Sequence, residues 1–341
     1  MPDNAQVNRQ IVLKHYPEGK PTTEDFALVE VPVREPGEGE VLRQTIYLSL
    51  DPYMRGRMSN RVSYAGPASL GEVMVGGTVS RVIASNDPAF APGDYVLGYD
   101  GWQEFGLSAG QGLRKLNPAK APLSYALGAL GMPGMTAYWA LLDIGRPKPG
   151  ETVVVSAAAG AVGSIVGQIA KIKGCRAVGL AGTDDKCRLV TQDLGFDACI
   201  NYKTQELAPA LKAACPDGID VYYDNVAGAI LEAVLGQINL GARIPLVGLI
   251  SEYNAITPPP GPNLRPLLVR RALIHGMLVT DYQDRYEEFL AEMAPWVGEG
   301  RIKVLEDIVV GLENAPQAFL GLFDGANTGK LIVRVSEDPT R

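Results

Sequence analysis

The stretch SAAAGAVGSIVGQIAK, residues 156–171, has the residue types to hold a phosphate. An apolar β-branched run, TVVVSA, leads into it, and Ile165, Ile169 and Ile172 at helical spacing lead out. The small residues therefore fall on a turn from strand to helix. Aligned to G-x-G-x-x-G, the turn reads Ala158-Ala159-Gly160-Ala161-Val162-Gly163. Gly160 would let the backbone approach a pyrophosphate, and Gly163 would let the helix pack close to the strand. The helix N-terminus supplies free N–H groups and partial positive charge. The first glycine of the pattern is alanine, so a tight turn without a ligand is the competing reading. The further βα-type elements that follow in order weigh against it.

Charge at the next strand bears on which dinucleotide. Sites for NAD place an acidic residue at the end of the second strand, for the ribose 2′-OH. Here that strand, RAVGLAG, ends in Ala181 and Gly182. Asp184 and Asp185 read as the N-cap and first turn of the following helix. Lys186 lies one step on, where its ammonium can meet a 2′-phosphate, so the pattern favours NADP. A solvated surface lysine is the competing reading.

A proton donor is needed wherever negative charge develops on a substrate. The chain has 14 tyrosines, 7 phenylalanines and only 2 histidines, which makes a phenol the leading donor. Three tyrosines lie in loop-like stretches: Tyr53 in SLDPYMRGRM, Tyr64 in RVSYAGP and Tyr253 in GLISEYN. Tyr253 follows the fifth strand, at the carboxyl edge where open sheets bind ligands. For each of them ordinary packing is the alternative. His15 and His275 are far apart, and Cys175, Cys187, Cys199 and Cys215 form no CxxC, so no metal site is expected. Four scattered thiols suit a reducing cytoplasm. GxSxG and the Walker loop are both absent. The Pro-rich PPPGPNLRP, 258–266, reads as a stiff loop, placed either beside the pocket or simply where it avoids strand pairing.

The elements that must position these residues fall into two styles. Up to about residue 125, strand-like runs alternate with Gly, Pro and Asn: VLKHYPEG, FALVEVPV, GEVLRQTIYLSLD, GGTVSRVIAS. From Glu151 the pattern is strand, glycine turn, helix, repeated through ACINY, IDVYYDNV, ARIPLVGL and RALIHGMLVT, with AILEAVLGQIN as one helix. That alternation predicts a parallel sheet covered on both faces. After about 305 the first style returns and ends in NTGKLIVRV. A doubly wound α/β domain over 126–304, inserted in a β-rich domain of 1–125 and 305–341, accounts for both. The net charge of -7 over 341 residues argues against a nucleic-acid or anionic-membrane partner. No apolar run reaches the ~18 residues of a bilayer span, and the polar opening MPDNAQVNRQIVLK lacks a secretory-signal core.

In combination, LDPYMRGRM, LGMPGMTAYWALLDIG, SAAAGAVGSIVGQIAK, LGFDACINYKT, DGIDVYYDNVAG, VGLISEYN and GANTGK carry a resemblance over nearly the whole length. The chain resembles the zinc-independent medium-chain dehydrogenase/reductase family. Within it, the chain is similar to the prostaglandin reductase / leukotriene B4 12-hydroxydehydrogenase branch, which includes NADPH-dependent curcumin reductases and alkenal double-bond reductases. The resemblance implies a GroES-like β-barrel domain joined to a Rossmann domain, with NADPH and substrate in the cleft between them. It also implies hydride transfer to the β-carbon of a small hydrophobic α,β-unsaturated carbonyl, in a homodimer.

By matching motif, the resemblance sets Gly160, Ala161, Val162 and Gly163 against the pyrophosphate. Lys186 and Tyr202 flank the 2′-phosphate, and Gly182 lies beside the ribose. Thr136, Val247, Gly248, Leu249, Ile250, Ser251, Tyr253, Met277, Leu278 and Val279 lie toward the nicotinamide. Asn225 lines the channel, and Asn327 reaches the cofactor from the C-terminal segment. Tyr253 is the first choice at the substrate oxygen, with Tyr53 and Tyr64 as pocket residues. The zinc enzymes of the wider family carry G-H-E where this chain has LGEVMVGG, and a cysteine-rich lobe before position 175 that is missing here. DNVGG of mammalian relatives is DNVAG here, with Ala227. A quinone reductase of the same fold, a non-catalytic NADP-binding protein, and oxidation of a secondary alcohol in the reverse direction are the alternatives.

Overall fold

The structure is a computed structural model that describes residues 6–61 and 63–341. Its strands are β1 (Val7–Leu13), β2 (Phe26–Pro32), β3 (Glu40–Ser49), β4 (Thr78–Ser85), β5 (Tyr95–Gly98), β6 (Phe105–Ala109), β7 (Arg114–Leu116), β8 (Thr152–Val155), β9 (Arg176–Ala181), β10 (Ala198–Asn201), β11 (Ile219–Tyr223), β12 (Ile238–Leu246), β13 (Leu273–Gly276), β14 (Glu306–Val310) and β15 (Lys330–Arg334). The chain divides into two compact units. One takes the described part of Met1–Leu127 with Asp307–Ala326 and Leu331–Arg341; the other takes Gly128–Glu306 with Asn327–Lys330.

The second unit holds a six-stranded parallel sheet in the order β10-β9-β8-β11-β12-β13. Numbered from β8, that order is 3-2-1-4-5-6, the doubly wound arrangement whose ligand crevice lies at the switch point between β8 and β11. The strand residues alternate between two buried cores. Val153, Val155, Ala177, Val221 and Tyr223 pack with helices Met132–Trp139, Gly163–Ile172 and Tyr286–Gly298. Val154, Val178, Leu180, Tyr222 and Ile244 pack with helices Leu207–Ala214 and Gly228–Leu235. Burial on both faces explains why these strands read as unbroken apolar runs.

The structure departs from the sequence expectation at three places in this unit. LGMPGMTAYWALLDIG, given no element above, is the helix Met132–Trp139 continued by a π-helical turn, Ala140–Gly145. Its glycines and proline mask a helical period that packing of Tyr138 and Trp139 enforces. AILEAVLGQIN stops being helical at Leu235, and β12 starts at Ile238, because Gly236 ends the helix. PPPGPNLRP runs into a short helix, Arg265–Arg270, with Pro266 in its first turn.

In the first unit β1 and β2 form their own antiparallel pair. The strand expected at VLKHYPEG lies earlier, and Lys14 to Gly19 are outside any strand. A seven-stranded sheet runs β14-β15-β3-β4-β5-β7, with β6 added on β3. Its core stacks Phe26 on Trp102, with ring centroids 5.3 Å apart, and sets Phe319 edge-on to both. The buried Arg43 guanidinium is paired with Asp100, whose carboxylate also accepts from Thr78 and Ser80. Among the described residues no helix is long and apolar enough to cross a membrane.

Candidate active site

The phosphate loop is built by close approach of backbones. Ala157 takes a left-handed φ of 50°, and the Gly160 N–H donates to its carbonyl at 2.9 Å. A Cβ on Gly163 would strike that same carbonyl oxygen, so only glycine lets the helix start here. At Gly160 a Cβ would lie 3.1 Å from it. Ala161 and Val162 complete the turn, and the helix Gly163–Ile172 runs away from it with its first-turn N–H groups at the loop. Ala158, the departure from the glycine pattern, has its methyl against Gly179 of β9, where a side chain would come within 2.8 Å. Tight packing between loop and sheet is thus shared between Ala158 and Gly179.

Four of the expected residues form two contacts past the end of β9. A Cβ on Gly182 would lie 2.9 Å from the Tyr202 hydroxyl. Lys186 is in the first turn of the helix Asp184–Gln192, and its ammonium donates to the Asn327 carbonyl at 2.6 Å. The N-cap is Thr183, which accepts the Lys186 N–H at 3.2 Å; Asp184 and Asp185 are both in the first turn, which corrects the cap assigned above. Asp184 is held by Asn201 and Asp185 by Arg188. Asn327 belongs to a strap that crosses the loop: the Gly329 N–H donates to Ala159 at 2.7 Å, and Asn327 Nδ2 to Gly329 at 2.8 Å.

A second group gathers at the switch point, after β11 and β12. Asn225 donates its backbone N–H to Ser156 Oγ and its side-chain amide to the Ser156 carbonyl, both at 2.8 Å. Val247 and Gly248 donate to the Asp224 carbonyl at 2.8 and 3.2 Å, and Ile250 and Ser251 to Asn225 and Val226. Leu249 donates its N–H to the Tyr253 phenol oxygen at 3.4 Å. Burial pushes the Tyr253 phenol above its ordinary range, so it is a neutral donor rather than a base. Met277 is buried and bonded to Leu246, with Leu278 and Val279 half-buried after it. Thr136 sits in the helix Met132–Trp139, bonded to Met132, and its carbonyl accepts the Tyr223 hydroxyl at 2.9 Å.

Tyr53 and Tyr64 belong to the first unit. Tyr53 is half-buried, and burial first, then the Asp51 charge, raise its pKa; Tyr99 and Tyr64 add to that field. Tyr64 is 60% exposed.

The sequence reading missed Asp224 and Ser156. Asp224 is fully buried, and its Oδ1 accepts from Tyr222, Ser156, Val226 and Ala227. Burial raises its pKa, and these donors oppose the rise. Ala227 has φ 64° and ψ -148°, a conformation almost confined to glycine that costs ~1–3 kcal/mol. An acidic residue closing a buried apolar strand, just before Asn225, was the available signal.

Two family profiles match the chain: one described as the N-terminal domain of oxidoreductase over residues 9–116, the other as zinc-binding dehydrogenase over residues 161–295. Among the described residues no three His, Cys, Asp or Glu side chains are grouped to hold a metal. The chain is 53% identical to the NADPH-dependent curcumin reductase of Escherichia coli (strain K12), over 99% of this chain and 100% of that protein. It is 43% identical to the NADP(+)-dependent 2-alkenal reductase of Nicotiana tabacum, over 97% and 98%. It superposes on the crystal structure of CurA from Vibrio vulnificus in complex with NADPH with a TM-score of 0.93 and 50% identity, covering 97% of this chain and 100% of that one. With the Rossmann sheet inserted in a GroES-like β-rich unit, these matches show that the chain belongs to the zinc-independent medium-chain dehydrogenase/reductase family, as an oxidoreductase of its double-bond reductase branch.

Proposed function

We propose that this chain reduces the carbon–carbon double bond of α,β-unsaturated aldehydes and ketones with NADPH, without a metal. The observation that carries the cofactor is the group past β9. Ala181 ends the strand where an NAD site would need a carboxylate; the Tyr202 hydroxyl and the Lys203 stem lie against Gly182, and Lys186, four residues on, turns its ammonium to the Asn327 carbonyl. The loop fits a pyrophosphate, because Gly160 and Gly163 leave no side chain between it and the helix N-terminus. The two relatives above, named for curcumin and 2-alkenal reduction with NADPH or NADP(+), support the substrate class.

When bound, NADPH supplies the hydride that goes to the substrate β-carbon. The chain's part is to bind, orient and hold a proton. Lys186 and Tyr202 take the 2′-phosphate, while Asn327 presents Lys186 from the strap. Residues 247–251 and Met277 to Val279 flank the nicotinamide, with Thr136 and Asn225. The Tyr253 oxygen accepts the Leu249 N–H, which leaves its O–H to donate to the carbonyl oxygen as enolate charge develops. Protonation of the α-carbon then completes the reduction. Tyr53 and Tyr64, in the first unit, are kept as substrate-side candidates on the family resemblance alone.

The partner is a second copy of the chain. An exposed edge strand, β13, with Leu273 47% and Ile274 37% exposed, supports it. Four cysteines outside any disulfide suit a cytoplasmic setting. The test is nicotinamide absorbance with NADPH or NADH against short alkenals, aryl enones and quinones. NADPH oxidation with enals and enones is expected. Equal use of NADH would overturn the cofactor assignment, and turnover of quinones alone would overturn the substrate class.

A further inference from the structure

Asp224 is a buried titratable group that the reaction above does not use. It follows β11 directly, opposite Ser156 at the end of β8, and so closes the switch point of the sheet. One of its oxygens takes four donors: Oδ1 accepts from the N–H groups of Val226 and Ala227, both at 2.9 Å, the Tyr222 hydroxyl at 2.8 Å and the Ser156 hydroxyl at 3.2 Å. Among the described residues Oδ2 has no partner. The same residue's backbone accepts from Val247 and Gly248, and its N–H donates to Pro245. Asp224 thereby adds a buried carboxylate to the links among three segments: the end of β8, the turn 225–227 and the start of 247–253.

We propose that Asp224 is a positioning residue for the reduction, its carboxylate holding the turn 225–227 in a conformation that Ala227 resists. This rests on the reading above, in which Asn225 and Val247–Tyr253 line the cofactor channel. Two N–H groups of that turn point at one oxygen, and the second belongs to the residue at φ 64°. Gly228, at φ 56°, continues the turn with room for no side chain short of Ser251 Oγ at 3.0 Å, and Ser251 Oγ donates back to the Val226 carbonyl at 2.6 Å. A charged acceptor bonds backbone N–H groups about twice as strongly as a neutral one. Without the charge, Ala227 is free to relax toward ordinary φ, and Asn225 and the 247–248 segment move with it.

The experiment compares Asp224→Asn with Asp224→Asn combined with Ala227→Gly. The amide keeps the size and one acceptor but loses the charge. The expected result for Asp224→Asn is an NADPH dissociation constant raised about tenfold, read by nucleotide fluorescence without substrate. A similar fall in kcat is expected, with the KM for the enone unchanged. Glycine adopts the turn without help, so Ala227→Gly should recover most of both losses. Wild-type binding in Asp224→Asn overturns the proposal, and so does a binding loss that Ala227→Gly leaves in place. Should Asp224→Asn fail to fold, Tyr222→Phe removes one donor and keeps the carboxylate; a two- to threefold weakening reversed by Ala227→Gly is expected, and no weakening overturns the proposal. A wild-type chain that binds NADPH but reduces no acceptor overturns the activity reading alone, because binding and glycine rescue still report on Asp224. A wild-type chain that binds no nicotinamide nucleotide overturns both.

Discussion

The two sides of the switch point are built on opposite principles. On the β9 side the proposed cofactor contacts rest on long side chains near the surface: Tyr202 is 36% exposed, and Lys186 reaches across to a strap at the Asn327 carbonyl. On the β11 side it rests on backbone, pinned by a carboxylate with no exposure at all. A charge at the end of a flexible stem can choose between two cofactors that differ by a phosphate, because attraction to that phosphate tolerates small displacements. Delivering hydride to one carbon does not tolerate them. The contrast teaches where each kind of defect should appear: in cofactor preference on one side, in kcat on the other.

The largest effect expected is from Tyr253→Phe, which removes the O–H while keeping the ring. A fall in kcat of about 10²-fold is expected, the lower range for loss of a positioned acid, with nucleotide binding unchanged. Because burial raises the phenol's pKa, it stays protonated as pH rises through the ordinary tyrosine range near 10. The wild-type rate should therefore show no loss assignable to Tyr253 below that pH, as a pH–rate profile would reveal.

Lys186→Ala comes next and tests the other side. NADPH affinity should drop ~10–100-fold, as for a lost charge-assisted bond, while NADH affinity changes little. An equal loss for both cofactors would mean that Lys186 serves only to hold the strap. Smaller again, and felt in stability, is Gly163→Ala. Its methyl meets the Ala157 carbonyl, so unfolding stability should fall by ~1–3 kcal/mol in a denaturant titration. The smallest is a gain: Ala227→Gly relieves the backbone and should stabilise the fold by about 1 kcal/mol, seen as a higher Tm. A Tm that falls instead would mean that the turn carries no strain.

Much of the second unit was legible because its physics is local. Val153 to Val155 and Tyr222 to Tyr223 are buried on both faces, so their composition alone marks strands. Gly160 and Gly163 stand where close backbone approach forbids a side chain, and that demand is visible as a motif. The rest depended on contacts distant in sequence. The helix Met132–Trp139 is interrupted in pattern by glycine and proline, and is fixed by packing on Phe289 and Trp296. Nothing near β1 and β2 shows that they pair apart from the larger sheet. In the sequence Asp224 is only the letter after a strand, because its role lies in four donors, one of which, Ser156, is 68 positions away. The cap at Thr183 is hidden in the sequence by two following aspartates, whose side chains have partners elsewhere.

Isotope transfer tests the central claim most directly. NADPH carrying deuterium at the transferring C4 position is mixed with the protein and an aryl enone, and the product is read by mass spectrometry and NMR. The account predicts a saturated ketone with one deuterium on the carbon β to an intact carbonyl. Deuterium on the carbinol carbon of an allylic alcohol, or a reduced product without deuterium, would contradict it.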